Sequence, residues 1–198
     1  MSAGGRRALA TIREKRSDDE KLRELIVYLA TLSEPGDEFW GAVKLNKLLF
    51  YIDFVAYRRF GKPVTGQEYQ CQRMGPVPRG LPVLVKQMKR DGDIAEKRTT
   101  FHGREQIRTV AKRPANKDIF TKEEMDLIHE TVSRFWKTNA SEISRESHTF
   151  LGWKLARIGE TIPYGMVLIG NRKPTTREVR LGRRLQKLAG EALARRGR

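Results

Sequence analysis

The chain predicts a mainly α fold of the α+β kind, a single-domain helical bundle with a small antiparallel β-hairpin. Three observations point there. A long apolar segment from Val43 to Tyr57 is closed by Gly61 and Pro63. Two Ser/Thr-x-x-Glu signatures, Ser17–Glu20 and Thr121–Glu124, stand in front of apolar residues at helical spacing. A single polar, β-compatible pair of stretches flanks His102-Gly103. With 198 residues, 38% hydrophobic and 32% charged, the chain suits one domain large enough to bury a core.

Taken in order, residues 1–16 carry Gly4-Gly5 and scattered basic residues and are expected to be a flexible N-terminal segment. The capping box Ser17-Asp18-Asp19-Glu20 is expected to start the first helix, with Leu22, Leu25, Ile26, Leu29 and Leu32 on one face. Ser33-Glu34-Pro35-Gly36-Asp37 stops it. Phe39 and Trp40 lead into the central helix, where Leu45, Leu48, Leu49, Ile52 and Val55 form one face and Phe50, Phe54 and Tyr57 widen it, so that most sides should be buried. Gly61 suits the left-handed closing position and Pro63 cannot continue the helix.

In Met74-Gly75-Pro76-Val77-Pro78, two prolines fix φ and withhold donors from any ladder. Leu81, Leu84, Val85 and Met88 then predict a helix with Pro82 in its first turn, stopped at Asp91-Gly92. The hairpin spans about 93–112, and its Lys, Arg, Glu, Gln and Thr side chains require at least one wet face. Thr121 opens a helix bearing Met125, Ile128, Val132, Phe135 and Trp136, and Asn139 opens a shorter one reaching Ser147 or His148. Met166–Ile169 reads as a short strand, and Pro174-Thr175-Thr176 introduces a basic C-terminal helix or tail over 171–198.

No run approaches the roughly 18–20 apolar residues that span a bilayer, and no signal-peptide segment follows Arg6-Arg7, so a cytoplasmic protein without membrane contact is expected. Cys71 is the only cysteine, which excludes an intramolecular disulfide and a cysteine metal cluster. Paired with His102, His129 or His148 it would be a nucleophile, but its surroundings favour a small buried hydrophobe. His102 reads as a turn residue and His129 as a boundary residue. Neither a Walker loop, a His-Glu-x-x-His motif nor a paired-acid arrangement occurs, so no enzymatic activity and no cofactor are expected. His148 with Trp153 is the one chemically suggestive pair, better read as a histidine packed beside an indole than as a ligand sensor.

Lys44-Leu45-Asn46-Lys47-Leu48-Leu49-Phe50-Tyr51, the Phe60-Gly61-Lys62-Pro63 corner, Met74-Gly75-Pro76-Val77-Pro78, Ser147-His148 with Trp153-Lys154, and Ile162-Pro163-Tyr164 resemble, in order and spacing, the Panacea domain of SocA-like antitoxins. The resemblance spans roughly 20–170, leaving 17–170 as the expected domain. It implies a non-enzymatic antitoxin that neutralises a cognate toxin by direct binding, in the SocA-like case as an adaptor to a protease. It also marks Lys44, Lys47, Tyr51, Met74, Gly75, Pro76, Val77, His148, Trp153 and Tyr164 as motif or partner-binding residues.

Charge supplies the alternative. The formal net charge is +16, and residues 171–198 hold ten Lys or Arg against two Glu, half of that excess. DNA or RNA binding would then use Lys97, Arg98, Arg104 and Arg108 on the hairpin and Arg177, Arg180, Arg184 and Lys187 on the last helix, mainly through phosphates.

Overall fold

The computed structural model describes residues 3–33, 39–101 and 103–169, together with Thr176, Arg180 and Arg184, with side chains from Asp18 onward except those of Phe101 and Arg104. Helix α1 (Ala3–Leu32) packs on α2 (Ala42–Phe60) through Leu22, Leu25, Ile26 and Leu29 on one side and Leu45, Leu48, Leu49 and Ile52 on the other. Helices α3 (Leu81–Arg90), α4 (Lys122–Arg134), α5 (Ala140–Ser147) and α6 (Leu151–Leu155) follow. Leu81, Met88, Leu127, Ile128, Val132, Phe135 and Ile143 complete the main core around α2. The mainly α prediction holds.

Helix α1 starts well before the expected Ser17. Between Ala8 and Arg16 the chain offers Ala, Leu, Arg, Glu and Lys, strong helix formers with no proline among them, so the capping box is absorbed into a continuing helix. The Thr121 and Asn139 boxes do open their helices. Each side chain accepts from the third backbone N–H while Glu124 or Glu142 bonds back to the cap. Glu124 has a further role: Lys21 Nζ lies 2.7 Å from it and ties α1 to α4. Helix α4 stops at Arg134, so Trp136 falls beyond it, in edge contact with the buried Trp40.

The hairpin is β3 (Ile94–Phe101) with β4 (Arg104–Ala111), in register Ile94↔Ala111 through Phe101↔Arg104. Its base is held by charge: Arg113 bonds both Glu24 and Asp93, and Arg23 bonds Asp93 and Asp91. The end of α1 is locked to it as well, since Ser33 Oγ donates to the Thr109 carbonyl at 2.8 Å. His102 lies outside the described residues.

A second sheet was not foreseen. β1 (Tyr69–Gln70) lies between β2 (Val77–Pro78) and β5 (Thr161–Ile162), both antiparallel to it. Pro78 is tolerated there because β2 is an edge strand, where a missing donor faces no neighbour. The expected strand at Met166–Ile169 is instead a 3-10 turn, Tyr164–Leu168, running on from Pro163 and laid against α2 and α6.

A candidate protein-recognition site built on the buried central helix

Helix α2 ends as its sequence demands: Gly61 is left-handed at φ 75°, and its N–H donates to the Tyr57 carbonyl at 2.9 Å. Its register sets Lys44, Lys47 and Tyr51 on one face, at i, i+3 and i+7. Both lysines are buried, Lys44 with its ammonium 5.3 Å from the Trp40 ring centroid. The Lys47 ammonium rests 3.5 Å from the Pro76 carbonyl. Burial pulls its pKa down to about 8.

Above Lys47 lies the turn joining β1 to β2. Gly75 takes φ 102° and donates to the Gln72 carbonyl at 2.9 Å. The same carbonyl accepts from Trp153 Nε1 at 2.9 Å, so the indole of α6 clamps the turn from outside. Cys71 closes the clamp, its thiol facing the Trp153 and Ala156 carbonyls; it is the buried small residue expected of it. His148 stacks on Trp153, with ring centroids 3.9 Å apart and planes 10° from parallel. Burial, then the nearby Lys47 charge, lowers the His148 pKa.

Lys47, Gly75, Pro76, His148 and Trp153, drawn from positions a hundred residues apart, therefore meet at one corner. Tyr51 lays its ring on Phe135 at 4.5 Å, and burial raises its hydroxyl pKa. Among the described residues, Tyr51 Oη, Ser144 Oγ and His148 Nε2 are buried without a protein partner. Met74 is the motif residue that faces solvent, while Val77 is half-buried.

Because the Lys47 ammonium has one long bond among the described residues, Lys47→Met is expected to raise stability at pH 7 by about 1–2 kcal/mol. The unfolded lysine titrates near 10.5 and the folded one near 8, so the unfolded chain binds more protons between those values. Wild-type stability should thus rise from pH 8 toward 10.5, and Lys47→Met should lack that rise. Urea titrations across this range check it; a loss above 1 kcal/mol in the variant would refute it.

Tyr164 belongs to a second buried group that the sequence reading missed. Its hydroxyl donates to the Gln67 carbonyl at 2.6 Å and lies 3.4 Å from Asp53, a fully buried acid. Asp53 also accepts from Thr65 N–H at 2.7 Å, Thr65 Oγ1 at 2.5 Å and Tyr69 Oη at 2.9 Å. An acid inside so apolar a helix was itself the signal, since such a group is buried only where donors meet it. Phe50, Phe54, Tyr69, Phe150 and Tyr164 pack around it.

Four of the basic candidates lie on the hairpin. Arg98 bonds Glu105 at 2.8 Å, Arg108 donates to the Ser33 carbonyl, and Lys97 stands opposite Arg108 in the hairpin. Arg104 lies in β4. Arg180 and Arg184 are helical and exposed, while Arg177 and Lys187 lie outside the described residues.

Helices wrapped round a buried α2, and a turn clamped by α5 and α6, define a mainly helical domain whose sequence motifs are structural keystones. The chain belongs to the antitoxin SocA-like, Panacea domain family, whose model matches residues 45–154. Membership supports an antitoxin-type role in general and implies a toxin as partner. No curated protein and no solved structure matches the chain. Among the described residues no helix is long and apolar enough to cross a membrane.

Proposed function

We propose that this protein neutralises a cognate toxin by binding it directly, without catalysing a reaction. The observation that carries the reading is the family match over 45–154, in which the motif side chains act as internal braces. Gly75, His148 and Trp153 hold the 72–76 turn and the α5–α6 corner in one arrangement over α2 and its buried Lys47. A rigid body of this kind leaves its outer surface to recognise the partner, and a preorganised surface loses less entropy on binding.

The test is growth. Expressed alone, the polypeptide encoded beside this chain's gene is expected to arrest cells, and co-expression of the full chain is expected to restore growth. Immunoblots of the arrested and rescued cells would separate blocking, where toxin accumulates, from delivery to a protease, where it disappears. Continued arrest despite expression of folded protein would defeat the proposal.

A further inference from the structure

Outside the motif corner, four large aliphatic side chains crowd one short stretch: Leu155, Ile158, Leu168 and Ile169 are between 51% and 67% exposed. The other large exposed apolar residues, Phe60, Met74, Val83, Ile107 and Trp136, are spread over separate elements. Helix α6 and the 3-10 turn after Pro163 pack together, and their inward side chains, Trp153, Ala156, Tyr164 and Val167, are used against the aromatic cluster of α2. Among the described residues these outward aliphatics have no place in the core, and a group of exposed apolar side chains on two elements that pack together marks a contact site.

Its border is basic. Lys154 and Arg157 alternate with Leu155 and Ile158 and are exposed, two cations against the one neighbouring carboxylate of Glu160, which accepts from the Arg157 backbone N–H at 2.8 Å. Directly after Ile169 the chain enters residues 171–198, with ten Lys or Arg against two Glu. Aliphatic groups gain nothing from phosphates, so the apolar centre asks for a protein and the charge asks for an acidic one.

We infer that the Leu155–Ile158–Leu168–Ile169 surface is the toxin-docking face, and that it takes a protein presenting an apolar patch bordered by Asp and Glu. This rests on the antitoxin reading. The apolar centre supplies the contact and the basic border steers and orients the encounter.

The experiment uses the full chain with the polypeptide encoded beside its gene as probe. Leu155→Asp/Leu168→Asp is compared with wild type and with Leu155→Met/Leu168→Met, each checked by thermal melting and far-UV circular dichroism. Both positions are exposed, so all three proteins should melt alike. The Asp pair is expected to weaken binding about 100-fold or more and abolish growth rescue, while the Met pair keeps both.

Wild-type affinity should also fall as salt is raised. Rescue by wild type and by a folded Asp pair alike would overturn the docking face and leave the antitoxin reading standing. Failure of wild type itself to bind or rescue would overturn both. Binding of wild type to phosphatidylserine vesicles or to a second copy of itself, lost in the Asp pair while probe binding is kept, would assign the surface elsewhere and overturn the inference.

Discussion

Asp53→Ala is expected to lower stability by about 3 kcal/mol at pH 7. The substitution strips the acceptor from Thr65 N–H, Thr65 Oγ1 and Tyr69 Oη, all inside the protein, while Tyr164 keeps its bond to the Gln67 carbonyl. Each orphaned donor costs about 1–3 kcal/mol, and relief from holding a desolvated carboxylate offsets part of that total.

Asp53→Asn, which keeps the shape and one oxygen, should cost roughly half as much. It also isolates the pH dependence. Burial raises the Asp53 pKa from 3.8 to about 6, against the pull of Thr65 and Tyr69. Between those values the folded protein holds the proton more tightly, so its stability falls as pH rises from about 4 to 6 and is regained on acidification. Relative to Asp53→Asn, wild type should therefore gain up to roughly 3 kcal/mol between pH 7 and pH 4. Chemical denaturation of the two proteins at each pH measures this, and parallel profiles would exclude it.

Gly75→Ala is expected to cost about 3 kcal/mol from two sources, a left-handed backbone and a collision. At φ 102° any side chain is strained. An added Cβ would also overlap the Lys47 ammonium and sit 2.9 Å from Lys47 Cε and 2.5 Å from Ser147 Oγ. Neither neighbour has open space to retreat into, because both are buried beneath the turn.

A double-mutant cycle separates the two sources. In a Lys47→Ala background the alanine at position 75 should cost only about 1–2 kcal/mol, the backbone share together with the remaining contact at Ser147. Equal losses in both backgrounds, read by urea denaturation, would show that the lysine and the turn are uncoupled.

Where chemistry is local, the sequence was readable. Gly61 closes α2, Thr121 and Asn139 cap their helices, and the polar stretches around Gly103 pair as a hairpin, because caps and turns involve residues a few positions apart. Local rules misled where a stronger neighbour competed. Ser17 is fit to cap a helix, yet the preceding helix formers extend α1 back to Ala3, and Met166–Ile169 has strand-like residues but coils against α2. The pairing of β1 with β5, nearly a hundred residues away, has no local signal at all.

The motif residues show the same division. Their order marked the family, and Lys47 and Tyr51 fall on one helical face by periodicity alone. The closing of Gly75 over Lys47, the clamp of Trp153 on Gln72, and the meeting of Asp53 with Thr65, Tyr69 and Tyr164 follow no spacing rule. The helical class and the buried α2 are legible because hydrophobic period and capping chemistry are written in neighbouring residues, while the family is legible only in the order of its motifs. Which charges are entombed and which aliphatic side chains are left facing solvent is fixed by packing, because burial depends on what the rest of the chain brings across the core.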